Sequence, residues 1–192
     1  MFNPPSDRTI SYCVSRGLSE KTIAHFNLAE SLCGTHVIIP IYVHGRREPF
    51  YACRNIEDGC HATRYRYIGD MDRRAVFGLH KVDANKDRAI LVEGYFDVMV
   101  AHENGYDNVI ANIGCATIGQ PWWEFKARLL VDRFTRIDVA FDGFPGGHPQ
   151  QKAAVADFRN RGILSSEIML PVGTDPAMLS KDQMALYFGN HE

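Results

Sequence analysis

The 192-residue sequence has no Cys-x-x-Cys pair, no internal repeat and no low-complexity tract. Its five cysteines, Cys13, Cys33, Cys53, Cys60 and Cys115, are scattered and odd in number. That pattern argues against a disulfide framework and against a zinc site built from this chain alone. It suits a reducing cytoplasm. No apolar run approaches the ~18–20 residues of a membrane span. The first residues lack a basic stretch followed by an apolar one, so neither a membrane nor a secretory signal is expected. The missing repeats exclude a solenoid or propeller.

What is present is a globular composition, 45% hydrophobic and 23% charged. The length allows one domain or two small lobes. Net charge is only −2, but it is unevenly spread. Residues 46–88 carry ten Lys/Arg against seven Asp/Glu, leaving eleven against sixteen elsewhere. A basic segment beside an acidic remainder suits polyanion binding next to a metal site, or simply an uneven solvated surface.

Two patterns divide the chain into 1–88 and 89–192. Residues 6–30 read as helical, with Thr9 to Arg16 ending at Gly17 and Ser19 as N-cap of a second helix. Val37 to Val43 is β-branched and aromatic. It turns at His44-Gly45-Arg46 and returns along Phe50 to Arg54, with Thr63 to Ile68 as a third strand. This predicts a small, basic, antiparallel α+β lobe. From Ala89 the pattern becomes β-α-β. Ala89–Val92, Asn108–Ala111, Ile137–Phe141 and Glu167–Leu170 read as strands, the first and third as buried parallel ones. Tyr95–His102, Pro121–Arg133 and Pro149–Asn160 read as helices, and a last helix is expected from Asp175. Such alternation predicts an open, mostly parallel α/β sheet with flanking helices.

Ligands of open parallel sheets bind beyond the carboxyl ends of the strands. Glu93 follows the Ala89 strand, Asp142 follows the Ile137 strand, and Asp175 lies five residues past Leu170. Asp97 stands one helical turn after Glu93. Oxygen ligands gathered at one sheet end suit Mg²⁺ or Mn²⁺. Taken singly, each carboxylate also reads as a helix cap or a surface ion pair. Gly94 and Gly143, beside Glu93 and Asp142, would let backbone approach a ligand closely.

Leu91-Val92-Glu93-Gly94-Tyr95-Phe96-Asp97 resembles the glutamate motif of TOPRIM domains, in the form found in bacterial-type replicative primases. Ala111 to Ala116 resembles the glycine-bearing segment after the second strand. Val139 to Phe144 resembles the Asp-x-Asp motif, and Gly173-Thr174-Asp175-Pro176 the Asp-Pro-Asp region. Tyr12 to Ser19, Val37–Ile41, Arg54, Arg66-Tyr67 and Phe77-Gly78-Leu79 resemble pieces of the family's opening helices and basic lobe. The likeness runs over about residues 8 to 182.

This resemblance implies a TOPRIM fold preceded by a basic lobe, and a core that makes RNA primers on single-stranded DNA from ribonucleoside triphosphates. It implies catalytic roles for Glu93, Asp97 and Asp142, and metal binding by Glu93, Asp142 and Asp175. Arg54, Arg64, Arg66 and Lys81 would contact template or nucleotide phosphates, and Tyr67 would stack or pack nearby; the bare sequence equally allows Tyr65 and Tyr67 a place in a cross-strand aromatic pair of a small sheet. The chain departs from the family at two places. Phe144 stands at the second aspartate of Asp-x-Asp, and Ala177 at the last aspartate of Asp-Pro-Asp. Gly146-Gly147-His148 alters the same loop, where His148 is a candidate for phosphate or metal. A cysteine-rich zinc segment and a helicase-binding region are missing from the pattern, so a helicase or zinc-binding subunit on another chain is the expected partner. The alternatives are a catalytically weakened accessory module of a replication complex, favoured by Phe144 and Ala177, and a TOPRIM nuclease, which the basic lobe argues against.

Overall fold

The computed structural model describes residues 2–57, 64–113, 119–146 and 148–189. The chain forms two compact units, Met1–Asp72 and Arg73–Glu192. The division falls earlier than the 88/89 boundary read from the change of pattern at Ala89. The cause is Val76–Phe77, which pairs antiparallel with Asn112 and Ala111 of the second unit. Arg73 and Arg74 also lie over the rings of Trp122 and Phe125 there.

The first unit opens with α1 (Asp7–Ser15) and α2 (Glu20–His25), N-capped by Ser6 and Ser19. Four antiparallel strands follow in spatial order: β1 (Ala29–Glu30), β2 (His36–Ile41), β3 (Phe50–Asn55) and β4 (Tyr65–Ile68). Ala29 and Glu30 are thus not helical as expected but pair with Ile38 and Val37. Glu30 is buried and accepts from the hydroxyls of Ser6 and Thr9, tying β1 to α1.

The second unit is a five-stranded sheet in the order β5-β7-β6-β8-β9. Its strands are β5 (Val76–Phe77), β6 (Arg88–Val92), β7 (Val109–Asn112), β8 (Arg136–Val139) and β9 (Leu164–Glu167). β6 to β9 are parallel and β5 is the antiparallel edge. The helices are α3 (Tyr95–Glu103), α4 (Pro121–Val131) and α5 (Pro149–Asn160). The core is dominated by Leu91, Ile110, Trp123, Leu130, Val139, Phe141 and Phe158. The last strand lies three residues earlier than its apolar run, because Leu164 to Glu167 pair with Arg136 to Val139. β9 is an edge strand that buries only Ser165, so burial left no apolar signature there. The expected helix from Asp175 is a 3-10 turn, Pro176–Met178, followed by α6 (Lys181–Met184), which Ser180 and Gln183 cap reciprocally. Among the described residues no helix is long and apolar enough to cross a membrane.

Candidate functional site

The order β7-β6-β8 makes the sheet reverse direction beside β6. In open α/β sheets the crevice at such a switch point, beyond the carboxyl ends, is where ligands bind. β6 delivers Glu93 to this point and β8 delivers Asp142. The ladder continues past β8 through the Ala140 N–H, which donates to the Leu91 carbonyl at 2.9 Å. The Asp142 backbone N–H then donates a long bond, 3.4 Å, to Glu93 Oε1. Behind it the buried Gln151 of α5 accepts from the Phe141 N–H at 2.7 Å, fixing the loop that carries Asp142.

Four carboxylates meet here in different settings. Burial raises the pKa of Glu93, Asp142 adds to the rise, and His148 opposes it. Burial also raises Asp142, together with the charge of Asp175. Among the described residues no hydrogen bond reaches the Asp142 carboxylate, which is partly desolvated but keeps a solvent-accessible side. Asp97 is buried and pushed up to about 7, by desolvation first and then by the charges of Asp175 and Asp142. Its two oxygens accept from Gly94 N (2.8 Å) and Ala177 N (3.3 Å), so it braces the start of α3 against the 176–178 turn. Asp175 sits at the N-cap of that turn yet makes no capping hydrogen bond, and its Oδ1 is buried without a partner among the described residues. Three raised carboxyl groups and an orphaned buried oxygen are what a divalent cation would relieve. Among the described residues no group of three His, Cys, Asp or Glu side chains is gathered closely enough to hold a metal alone. The set therefore fits Mg²⁺ or Mn²⁺ held by one or two carboxylates, with substrate oxygens and water completing the shell.

His148 belongs to the same place. Its Nε2 lies 3.4 Å from Glu93 Oε1. Pro149 restricts the residue before it to extended backbone, which keeps His148 outside α5. Phe141 and Phe144 meet its ring edge-on, with centroids at 5.5 and 6.2 Å. The two glycines serve the protein itself, contrary to the expectation that they admit a ligand. A Cβ at Gly94 would stand 2.8 Å from Asp97 Oδ2, and one at Gly143 only 1.9 Å from the Pro171 carbonyl oxygen. Gly143 crosses the 171–174 loop that leads to Asp175, exchanging backbone bonds with Gly173 and Thr174.

The comparisons with known proteins agree with this geometry. The family described as Toprim-like matches residues 90–180. A DNA primase of Aquifex aeolicus is 27% identical over 208 residues, covering 100% of this chain and 39% of the relative. The solved structure of the zinc-binding and RNA polymerase domains of the Aquifex aeolicus primase superposes with a TM-score of 0.80 at 22% identity, over 96% of this chain and 56% of that one. A DnaG primase catalytic domain bound to single-stranded DNA gives 0.74 at 21%, over 94% and 71%. Residues 90–180 are a Toprim-like domain, in a chain with the fold of a bacterial primase core. The chain spans about two fifths of the length of that curated relative.

The Toprim-like domain thus brings together Glu93, Asp97, Asp142 and Asp175. Lys81 closes a 3-10 turn in the same unit, Leu79–Lys81, and is half-buried. The remaining expected residues lie in the first unit. Arg54 is half-buried, donates from Nε to the Tyr12 hydroxyl at 2.9 Å and lies over the Tyr65 ring. Arg64 and Arg66 are exposed beside and on the edge strand β4. Tyr67 makes a cross-strand aromatic pair with Phe50 of β3, as the small-sheet reading allowed. Tyr65 and Tyr67 alternate with the arginines along β4. Gly114 to Ala116 of the glycine-bearing segment, with Thr117 and Ile118 after it, lie outside the described residues, as do Cys60 and Gly147.

Three further polar groups escaped the sequence reading. Asp138 is fully buried in mid-strand, bonded by Arg88 and Arg136. Its signal was the polar-apolar alternation of Arg136-Ile137-Asp138-Val139. Lys126 is buried on α4 and donates to Asn112 Oδ1 at 2.6 Å and to the Ile113 carbonyl, holding the end of β7. Gln151 on α5 reads as a surface residue in the sequence.

Proposed function

We propose that this chain is the catalytic core of a primase, which makes short RNA on single-stranded DNA from ribonucleoside triphosphates with Mg²⁺ or Mn²⁺ in the cytoplasm. The observation that carries the reading is the buried, unpartnered Asp175 oxygen at the strand ends where Glu93 and Asp142 meet. Two of Glu93, Asp142 and Asp175 would hold the divalent ion directly, and the third would reach it through water or substrate oxygens. Bound there, it offsets phosphate charge and helps to orient the attacking hydroxyl. Asp97 acts differently from the catalytic role its motif implies. With both oxygens engaged by backbone N–H groups, it positions the α3 start and the 176–178 turn. His148 covers one Glu93 oxygen and shields that face. Arg54, Arg64 and Arg66 in the first unit, and Lys81 in the second, bind template or nucleotide phosphates. Arg54 is pre-oriented for this by Tyr12 and Tyr65. Support for the template comes from the fold shared with a primase domain bound to single-stranded DNA. A helicase or a zinc-binding subunit supplies template selection.

Incubation with single-stranded DNA, labelled ribonucleotides and Mg²⁺ or Mn²⁺ tests the reading. Short RNA that disappears in Asp175→Asn supports it. Cleaved template would make the protein a nuclease, and a mobility shift without product would make it an accessory binding module.

A further inference from the structure

The amino ends of the parallel strands, opposite the carboxylates, hold a second group of polar side chains. A cavity of about 420 Å³ is lined by Arg136, Arg159, Ile163, Leu164, Ser165 and Ser166. Arg136 and Leu164 are the first residues of the neighbouring strands β8 and β9, and Arg159 lies in the last turn of α5. We propose that this cavity binds a phosphomonoester, a use separate from the nucleotidyl-transfer site.

Both guanidinium groups are anchored through Nε alone. Arg136 Nε donates to the buried Asp138, at 2.9 Å to Oδ2 and 3.2 Å to Oδ1. Arg159 Nε donates to the Ser165 carbonyl at 2.8 Å. The terminal nitrogens of both arginines have no protein partner among the described residues. A guanidinium fixed at Nε presents its Nη edge in a set direction, so little ordering remains to be paid on binding an oxyanion. Ser165 also lines the cavity, and its hydroxyl is buried with no partner among the described residues.

Charge balance favours the same ligand. No carboxylate lines the cavity. The one acid behind it, Asp138, is shared by Arg136 and Arg88, so two guanidiniums divide one negative charge. With Arg159 the group has a surplus of two positive charges, matching a phosphomonoester dianion. Three carbonyls of the last turn of α5 are already engaged. Those of Asp157, Phe158 and Arg159 accept from the N–H groups of Arg161, Ile163 and Gly162. The volume falls in the ~300–1,000 Å³ range of small-molecule sites. Ile163 and the 70% exposed Leu164 offer an apolar wall to the group that bears the phosphate.

Nitrogen-15 NMR of the metal-free protein, titrated with inorganic phosphate and separately with 5′-AMP, tests the proposal. Both probes should shift the amides of Leu164, Ser165 and Ser166. Arg159→Ala should weaken the shift at least about tenfold, about 1.4 kcal/mol. Ser165→Ala should weaken it less, and Arg159→Lys should restore charge without the paired donation. Equal affinity for the two probes supports a site for the phosphate alone, and tighter AMP binding supports a nucleotide. Glu93→Gln should bind as well as the parent, which separates this site from the carboxylate one. Unmoved amides at millimolar phosphate, or shifts that survive Arg159→Ala in a folded protein, overturn it.

Discussion

Replacing Asp97 by asparagine removes a buried carboxyl group and keeps its shape. Its pKa rises from 3.8 to about 7 because burial and the charges of Asp175 and Asp142 disfavour the anion. A folded pKa above the unfolded one means that the fold prefers the protonated acid. The associated stability is fully present below about pH 4 and is lost as pH rises through about 7. Three pKa units correspond to about 4 kcal/mol over the whole range, of which about 2–3 kcal/mol falls between pH 5 and 8. The asparagine side chain does not titrate. The Asp97→Asn variant should therefore gain about 2–3 kcal/mol on the parent as pH goes from 5 to 8, a relative rise of roughly 5–10 °C in melting temperature. A constant offset of about 1 kcal/mol against the variant is expected, because one amide oxygen cannot accept from both Gly94 and Ala177.

Urea unfolding in chelator, followed by tryptophan fluorescence, measures this directly. Trp122 and Trp123 lie in the same unit as Asp97, so the signal reports the unit that carries the charge. Glu93 and Asp142 are raised too, but they are common to both proteins and largely cancel in the difference. A parent–variant gap that stays flat between pH 5 and 8 would refute the assignment of a desolvated, charge-crowded Asp97.

Glu93→Gln should abolish primer synthesis at an unchanged melting temperature, since size is kept and charge removed; full activity in that variant would sink the proposed site. Arg64→Ala with Arg66→Ala should weaken single-stranded DNA binding and flatten its salt dependence, by up to ~0.7 in log–log slope per lost phosphate contact. Unchanged affinity and slope would remove β4 from the polyanion surface. Gly143→Ala should cost about 2–3 kcal/mol in denaturant titration, because its Cβ would meet the Pro171 carbonyl at 1.9 Å and push the two loops apart. Phe144→Asp should tighten Mn²⁺ binding by calorimetry with little loss of stability, because the ring is 56% exposed. A folded Phe144→Asp protein with no gain in Mn²⁺ affinity would mean that Asp142 does not face a metal.

The parallel sheet was legible because its strands and helices are long enough to show their own periods. Pro149–Asn160 is helical over the whole range read from the sequence, and Ala89–Val92 falls within β6. The two-residue strands β1 and β5 were invisible for a physical reason. Ala29–Glu30 and Val76–Phe77 are too short to carry alternation and are strands only through their partners. β5 also moved the boundary between the units. β9 failed differently: an edge strand covered on one side leaves Leu164 and Ser166 without the burial that would have marked them.

The same distinction separates the legible part of the site from the rest. Glu93 and Asp142 follow apolar strands directly, so their place at the sheet end is local information. Their closeness needed only the inference that both strands lie in one parallel sheet. Gln151, His148 and Asp138 act through partners 10 to 55 residues away, and no spacing rule reports such pairings. Asp175 is the most instructive residue. In Asp175-Pro176 the sequence reads equally as a helix start or as a ligand, since both place an acid before a proline. The decision rests on one hydrogen bond that is not made. Asp175 occupies the N-cap position without capping, while Ser180, five residues on, caps its own helix. A capping oxygen would already be satisfied; the Asp175 oxygen is buried and is not. Such a group carries a desolvation cost that a cation would repay, which is the ground on which this carboxylate, rather than Asp97, is proposed alongside Glu93 and Asp142.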